Sequence, residues 1–206
     1  MVNRAHSAWK DDNFTGVLLM DIKAAFPSVA RGRLFHAMKA KRMDGDIIRS
    51  TENFLSDRTV EMVIEGNVLQ SRPVEASVPQ GSPVSPILFA IHTAELIKWV
   101  VERVQGVKGL SFVDDLGWVA TGNDVNQLVW TLEACAAQSI ESARRRDLQF
   151  DTAKTDAALL TRRRSHQTHL QPKLSAKIKV GDGFVRFNQV ATRWPGVWMD
   201  AHLTFK

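Results

Sequence analysis

Phe112-Val113-Asp114-Asp115-Leu116-Gly117 sets two adjacent carboxylates between short apolar runs. The runs at 110–113 and 116–120 predict two strands joined by a tight turn, with both aspartates at its tip. Neighbouring aspartates repel each other, so the pair lowers stability unless a cation or a basic partner neutralises it. The stretch therefore predicts a β-hairpin whose tip requires positive charge.

A third carboxylate follows another apolar run. Asp21 closes the run at 16–20, which predicts a buried strand. If the fold brings the ends of these strands together, three hard oxygen donors converge on one point. Such a donor set is typical of a Mg²⁺ or Mn²⁺ site.

Composition limits the classes of protein to which the chain can belong. Its 206 residues include 44% hydrophobic residues, enough to fill the core of one sizeable domain or two small ones. No apolar run is long enough to span a membrane, and residues 1–6 lack the apolar core of a signal peptide. The single cysteine, Cys135, excludes an internal disulfide framework and favours a reducing compartment, the nucleus or the cytoplasm. A net charge of +5 favours, modestly, a polyanionic partner such as nucleic acid.

Hydrophobic periodicity predicts an α+β fold, with an antiparallel sheet and helices packed on one face. The predicted helices lie in 31–54, broken near Gly45, in a segment ending near residue 104, and in 123–146. The predicted strands and hairpins are 14–21, 58–65 with 68–76 around Gly66-Asn67, the carboxylate hairpin, 157–161, and 176–180 with 184–187.

Two positions could be the start of the helix that ends near residue 104. A serine cap followed by proline is a strong start signal, and it occurs at both Ser82-Pro83 and Ser85-Pro86. The sequence alone leaves both open.

Four blocks in order resemble the palm of reverse transcriptases, and the closest likeness is to non-LTR (LINE-type) retrotransposons. The blocks are Asp21-Ile22-Lys23-Ala24-Ala25-Phe26, Pro79-Gln80-Gly81-Ser82-Pro83, Phe112-Val113-Asp114-Asp115, and Lys154 just before a strand. The tail at 193–200, followed by Leu203-Thr204-Phe205, is similar to a further block of that family. The resemblance runs from about Phe14 to the last residue.

The resemblance implies a metal site for two Mg²⁺ ions, with Mn²⁺ as a substitute. Asp21 and Asp114 would be the bridging ligands, and Asp115 a weaker ligand or a tuner of local charge. Ile22 would also contribute to metal and substrate binding. In such two-metal sites the ions stabilise the attacking and leaving oxygens of an in-line displacement.

The resemblance also implies residues that contact the substrate. Phe26 would stack under the nucleotide sugar and exclude a 2′-hydroxyl, although a core aromatic would fit the same position. Gln80 and Gly81 would lie against nucleotide or template, although a stiff loop that starts a helix would have the same sequence. Lys154 would act as a general acid or a counter-charge for pyrophosphate, and its alternative is a solvated surface lysine.

The implied function is RNA-directed synthesis of DNA from dNTPs, on an RNA template and a DNA primer, as part of retrotransposition. An alternative is an inactive, truncated fragment that at most binds nucleic acid or metal. A viral RNA-dependent RNA polymerase shares the palm chemistry and is the third possibility.

The resemblance divides the chain into three parts. Residues 1–13 would be a remnant of the fingers, 14–165 the palm with part of the fingers, and 166–206 a palm hairpin with a truncated tail. On this interpretation the fingers are truncated and no thumb is present. Pro195 stands where the family usually has leucine, which could bend the strand.

Basic and histidine residues outside these blocks carry less information. The runs 144–146 and 162–164 would contact phosphates, or would form a solvated face, as charge runs usually do. Residues 162–171 are predicted as a basic surface loop. The six histidines show no metal-ligand spacing.

Overall fold

The computed structural model describes residues 1–74, 77–162, 176–188 and 190–204. The helices are α1 Val2–Lys10, α2 Arg31–Ala40, α3 Gly45–Leu55, α4 Ser85–Arg103 and α5 Val125–Arg144. The strands are β1 Phe14–Ile22, β2 Thr59–Val60, β3 Val63–Ile64, β4 Asn67–Val68, β5 Arg72–Pro73, β6 Val107–Phe112, β7 Asp115–Gly122, β8 Phe150–Leu160, β9 Lys177–Val180, β10 Gly183–Asn188, β11 Ala191–Trp194 and β12 Val197–Asp200. Most of the predicted loop at 162–171 and the predicted boundary near residue 165 lie outside the described residues.

The chain divides into two compact units. The first comprises Met1–Lys23, Leu96–Arg145 and Gln149–Lys206, and the second comprises Ala24–Glu95 and Arg146–Leu148. Within the part of the chain that the structure describes, no helix has the length and apolar character needed to cross a bilayer.

A six-stranded sheet in the order β6-β7-β1-β8-β10-β9 forms the first unit. Strand β1 is central because nearly all of its residues are apolar, and it is buried on both faces. Strands β7 and β8 flank it in antiparallel register, whereas β10 runs parallel to β8. The predicted strand at 14–21, the carboxylate hairpin and the hairpin around Gly181-Asp182 are therefore confirmed.

The two faces of this sheet are covered by different elements. Gly16 faces α5, where an added Cβ would lie 3.1 Å from Leu132 Cδ1. Because side chains alternate along a strand, Val17 and Leu19 face the opposite side, where they form a core cluster with Ala5 of α1. The α+β class is confirmed, and the expectation of helices on one face needs one correction, since α1 packs against the face opposite α5.

The short loops of the first unit follow from proline and glycine. Gly106, with a φ of +75°, follows the end of α4. Pro195 and Gly196, with a φ of +81° at the glycine, connect β11 to β12. Pro195 therefore forms a turn between two strands and does not bend a strand.

Helices dominate the second unit. The predicted break between two helices is confirmed, and the Asp44 carboxylate caps α3 by accepting a 2.8 Å hydrogen bond from the Asp46 N–H. Ser82 accepts from the Val84 N–H, and the helix itself begins at Ser85, whose hydroxyl bonds the carbonyl of Pro79. Ser82-Pro83 therefore forms the turn before α4, and Pro86 lies in the first turn of the helix.

The hairpin predicted at 58–76 is present, but its strands are short. Pairs β2–β5 and β3–β4 contain two residues on each strand, and the turn lies at Glu65-Gly66, one residue before the predicted position. Both turn residues have positive φ, as a type I′ turn requires. All four strands are exposed, so no buried face fixes a longer register.

His92 on α4 predicts a pH dependence for the stability of the protein. The pKa of His92 is lowered to about 4, chiefly by burial and also by the charges of Arg146 and Arg33, while Asp147 opposes the shift. Between pH 6.5 and 4, His92 binds a proton in the unfolded chain but stays neutral in the folded chain. The free energy of unfolding therefore falls as the pH drops through this window. We expect the free energy of unfolding in urea to fall by about 2 kcal/mol between pH 7.5 and 5 from this group alone.

His92→Leu is the matched variant because it removes the titrating group and fills the buried position with an apolar side chain of similar size. Its free energy of unfolding should fall less steeply over the same pH range, as measured by far-UV circular dichroism in urea. Identical pH slopes for the two proteins would contradict the assignment to His92.

Candidate active site

The ends of three neighbouring strands hold a row of carboxylates. Asp21 on β1 lies directly opposite Asp115 on β7 and opposite Asp151 on β8. Residues in direct register point to the same face of the sheet, so the three side chains emerge together. Asp21 and Asp115 were predicted at this site, whereas Asp151 was not. Alternating apolar and polar residues across 151–156 would have predicted a strand that includes Asp151, but the strand is irregular there and the sequence does not alternate.

The hairpin turn fixes Asp114 beside this row. Phe112 pairs with Asp115, so Val113 and Asp114 form a two-residue turn. The Asp114 carbonyl accepts a 3.1 Å hydrogen bond from the Ile22 N–H, which ties the turn to the end of β1. Val113 has a φ of +54°, an uncommon conformation for a β-branched residue. The backbone therefore holds Asp114 in place at the cost of local strain.

A bulge in β8 brings Lys154 to the carboxylates. The register of β8 against β1 shifts between Leu19 and Asp21, which leaves residues 152–155 out of the regular ladder. The Nζ of Lys154 lies 3.1 Å from Asp21 Oδ2 and 3.9 Å from Asp151 Oδ2. Bulges commonly redirect a side chain in this way. The strand predicted at 157–161 therefore begins earlier, at Phe150, and its irregular first half carries the lysine.

The electrostatics of the cluster favour a cation. Burial raises the pKa of Asp115, and the charges of Asp114 and Asp21 raise it further, while Lys154 opposes them. The hydrogen bond to Asp21 raises the pKa of Lys154, and its charge interaction with Asp21 adds to this. The carboxylates therefore repel one another, and the ammonium of Lys154 neutralises part of their charge.

The donor chemistry of the site fits a hard divalent cation, since Mg²⁺ and Mn²⁺ bind carboxylate oxygens. Among the residues that the structure describes, however, no three His, Cys, Asp or Glu side chains are arranged to hold one ion. The Nζ of Lys154 lies 3.1 Å from Asp21 Oδ2, so a cation bound at that oxygen would have to displace the ammonium.

The other predicted contact residues belong to the second unit, which groups Phe26 with the loop before α4. The Phe26 carbonyl accepts a 3.0 Å hydrogen bond from the Val78 N–H. The Phe26 ring is half-buried and lies 5.8 Å from the ring of Phe89, centroid to centroid. Gln80 is exposed, and Gly81 has a φ of +91° that disfavours any larger residue. Backbone conformation is thus one reason for a glycine at position 81.

The basic run at 144–146 is largely engaged within the protein. Arg144 and Arg145 pair with Glu141 at 3.2 and 2.7 Å, and hydrogen bonding by Arg145 lowers the pKa of Glu141. The guanidinium of Arg145 also lies 4.7 Å from the ring centroid of Trp99. These contacts favour the interpretation of a solvated, internally paired face. Most of the run at 162–164 lies outside the described residues.

Sequence comparison connects this site with known polymerases. The protein is similar to the Retrovirus-related Pol polyprotein from type-1 retrotransposable element R2 of Popillia japonica, with 31% identity over 48% of this chain and 18% of that protein. It is also similar to a probable RNA-directed DNA polymerase from transposon BS of Drosophila melanogaster, with 23% identity over 96% of this chain and 21% of that protein. The chain thus spans about a fifth of the length of these relatives.

Solved structures show the same fold at low identity. Apo telomerase from Candida tropicalis aligns with a TM-score of 0.60 and 14% identity, over 100% of this chain and 39% of that one. Telomerase from Candida albicans, solved with a fragment of telomeric RNA, aligns with a TM-score of 0.62 and 11% identity, over 98% and 32% of the two chains. The predicted palm-like fold is therefore confirmed.

The family described as reverse transcriptase (RNA-dependent DNA polymerase) matches residues 1–198. This match covers nearly all of the 206 residues and contains every predicted site residue. The carboxylate row, the strained turn beside it and the lysine that reaches it all lie within the matched region. The chain belongs to the reverse transcriptase family.

Proposed function

We propose that this chain carries the catalytic centre for RNA-directed DNA synthesis in retrotransposition, extending a DNA primer with dNTPs on an RNA template. The observation that carries the proposal is that Asp21 lies directly opposite Asp115, with Asp114 in the adjoining turn, in a member of this family. Their mutual repulsion has no structural benefit, so a cationic reactant or cofactor is the physical reason to keep all three.

Two divalent ions, Mg²⁺ or Mn²⁺, would supply charge stabilisation for the attacking and leaving oxygens when bound. Asp21 and Asp114 would be the main residues to hold these ions, and Asp115 would bind them more weakly. In the metal-free protein, burial and then the charges of Asp114 and Asp21 raise the pKa of Asp115, so a bound cation would relieve this repulsion. Ile22 would contribute from the adjoining end of β1, where its N–H is tied to Asp114.

Lys154 has two proposed roles at the departing pyrophosphate. The hydrogen bond to Asp21 and the charge of Asp21 raise the pKa of Lys154, which favours the cationic form needed for a counter-charge. For proton donation, an incoming phosphate would have to draw the ammonium away from Asp21. Its ammonium is mostly exposed and touches Asp21, so it lies between solvent and the carboxylates. A position of this kind suits a group that meets an incoming triphosphate.

Phe26, Gln80 and Gly81 are proposed as substrate contacts on the second unit. The hydrogen bond between Val78 and Phe26 supports this grouping, since it fixes the loop that precedes Gln80 against the aromatic residue. Phe26 would exclude a 2′-hydroxyl by its bulk. Gln80 is exposed at the loop, and its amide can both donate and accept hydrogen bonds to a base or a sugar.

Asp114→Asn tests the proposed polymerase activity. The change removes a charge and keeps the size of the side chain, so we expect primer extension on poly(rA)/oligo(dT) to fall at least about 100-fold. Asp57→Asn, an exposed carboxylate between α3 and β2, is the matched control and should retain the activity of the unaltered chain.

Equal extension by the unaltered chain and Asp114→Asn would contradict the polymerase proposal and leave an inactive fragment as the better description. Faster incorporation of rNTPs than of dNTPs would favour an RNA-dependent RNA polymerase instead.

A second pair of variants separates the two roles of Lys154. Lys154→Ala should lower kcat by about 100-fold with little change in KM, because a general acid acts in the transition state. Lys154→Arg keeps the positive charge but scarcely releases a proton. Activity restored by arginine would indicate a counter-charge, whereas continued loss would indicate proton donation. An unchanged kcat for Lys154→Ala would exclude both roles.

A further inference from the structure

The β9–β10 hairpin presents cations and an aromatic ring on one exposed face. Phe184 lies opposite Lys179, and Arg186 lies opposite Lys177, so the four side chains share a face. All four are exposed, and 62% of Phe184 is accessible to solvent. We call these four residues the edge patch. The alternate residues of β9, Ile178 and Val180, are buried, and β9 packs against α5.

Within the described residues, no acidic side chain pairs with the cations of the edge patch. Lys177 and Arg186 are like charges in direct register, an arrangement that lowers stability. The carboxylate of Glu133 accepts a 2.8 Å hydrogen bond from the main-chain N–H of Lys179. Glu133 therefore caps the open strand edge and leaves the lysine ammonium groups to solvent.

The sequence around the edge patch is also rich in basic residues. No Asp or Glu occurs between Asp156 and Asp182, whereas Lys and Arg recur through this stretch. A long acid-free basic segment favours a polyanionic partner. The ammonium of Lys177 lies 5.8 Å from the centroid of the Phe184 ring, so the aromatic surface and the positive charge are adjacent.

Strand register places the edge patch on the same face of the sheet as the carboxylates. Asn188 on β10 is in register with Ala158 on β8, and Ala158 is in register with Val17 on β1, so the three side chains point to one face. Val17 and Asp21 also share a face, because side chains alternate along β1. Arg186 and Phe184 alternate with Asn188, so they also point to this face. Because β10 and β8 are parallel, the residues three positions before the Phe187–Ala157 pair lie at one level along the sheet. These residues are Phe184 and Lys154, so Phe184 lies level with the β8 bulge. The patch thus lies at least two strand spacings, about 10 Å, to the side of Asp21.

We propose that the edge patch binds the single-stranded RNA template. Its cations would contact phosphates, and Phe184 would stack on an unpaired base, the combination by which proteins hold single strands. The inference rests on the proposed function for one step: in RNA-directed DNA synthesis the strand that is still unpaired beside the active centre is the RNA. A duplex has its bases stacked internally and gives Phe184 no partner.

Binding of a labelled mixed-sequence RNA, measured by fluorescence anisotropy without dNTPs or divalent ions, tests the patch apart from catalysis. Lys177→Gln/Arg186→Gln should bind at least about 10-fold more weakly, and its slope of log K against log salt should be shallower by about 1.4, the value for two phosphate contacts on a single strand. Phe184→Ala should weaken binding about fivefold or more without changing this slope.

The chain offers matched controls at other exposed positions. Lys98→Gln removes one exposed cation on α4, and Trp130→Ala removes an aromatic side chain on α5 that is 69% exposed. Neither change should alter RNA affinity by more than about twofold. Circular dichroism should show the same fold for every variant, because all the altered side chains are at the surface.

Competition identifies the ligand. We expect unlabelled single-stranded RNA to compete at least as well as single-stranded DNA of the same sequence, and better than duplex RNA. Unchanged affinity in the patch variants, no binding by the unaltered chain, or a preference for single-stranded DNA or duplex would each overturn the proposal. These results are independent of primer extension, so an inactive chain that binds RNA through the patch would contradict only the proposed function.

Discussion

Asp21 and Asp115 lie directly opposite each other on neighbouring strands, and this like-charge pair constrains the rest of the first unit. A pair of this kind lowers stability, so its position has to be fixed by other contacts. Strand β1 supplies them, because it is buried on both faces and paired on both sides. The apolar residues that precede Asp21 therefore determine where the charge lies, and the free energy of their burial offsets its cost.

The strands on either side of β1 position the groups around the repelling carboxylates in different ways. On the β7 side, the turn holds Asp114 through its carbonyl, at the expense of a positive φ at Val113. On the β8 side, a bulge interrupts the ladder and delivers the ammonium of Lys154 to Asp21. Both features are irregular, and both occur at the same end of the sheet. Local strain and lost ladder hydrogen bonds are concentrated where the carboxylates meet, as expected for a site built for chemistry rather than for stability.

The sequence predicted the regular parts of this arrangement, and the reasons are physical. Strand β1 and the carboxylate hairpin could be predicted because uninterrupted apolar runs identify buried strands. The same rule missed the first half of β8, where residues 152–155 leave the ladder and lose their alternation. It therefore also missed Asp151 as a neighbour of Asp21.

Other differences arise from long-range packing. Nothing in residues 1–10 indicates which face of a sheet their helix covers, since small residues such as Ala5 and Ala8 fit against either side. The hairpin at 58–76 alternates as a longer strand would, yet its four short strands are exposed. Family resemblance supplied the polymerase class of the site, and register was needed to show which carboxylates share a face.

The distribution of charge over that face has a consequence for how a polyanion approaches it. The carboxylate row at the centre repels phosphates, and Lys154 neutralises only part of its charge. A nucleic acid strand therefore gains little by direct contact with the centre until cations are bound there. The exposed cations of β9 and β10 lie to one side, beyond β8. If the proposed function holds, separating the attraction from the carboxylates in this way would let the protein hold a strand while the carboxylates remain available for metal ions.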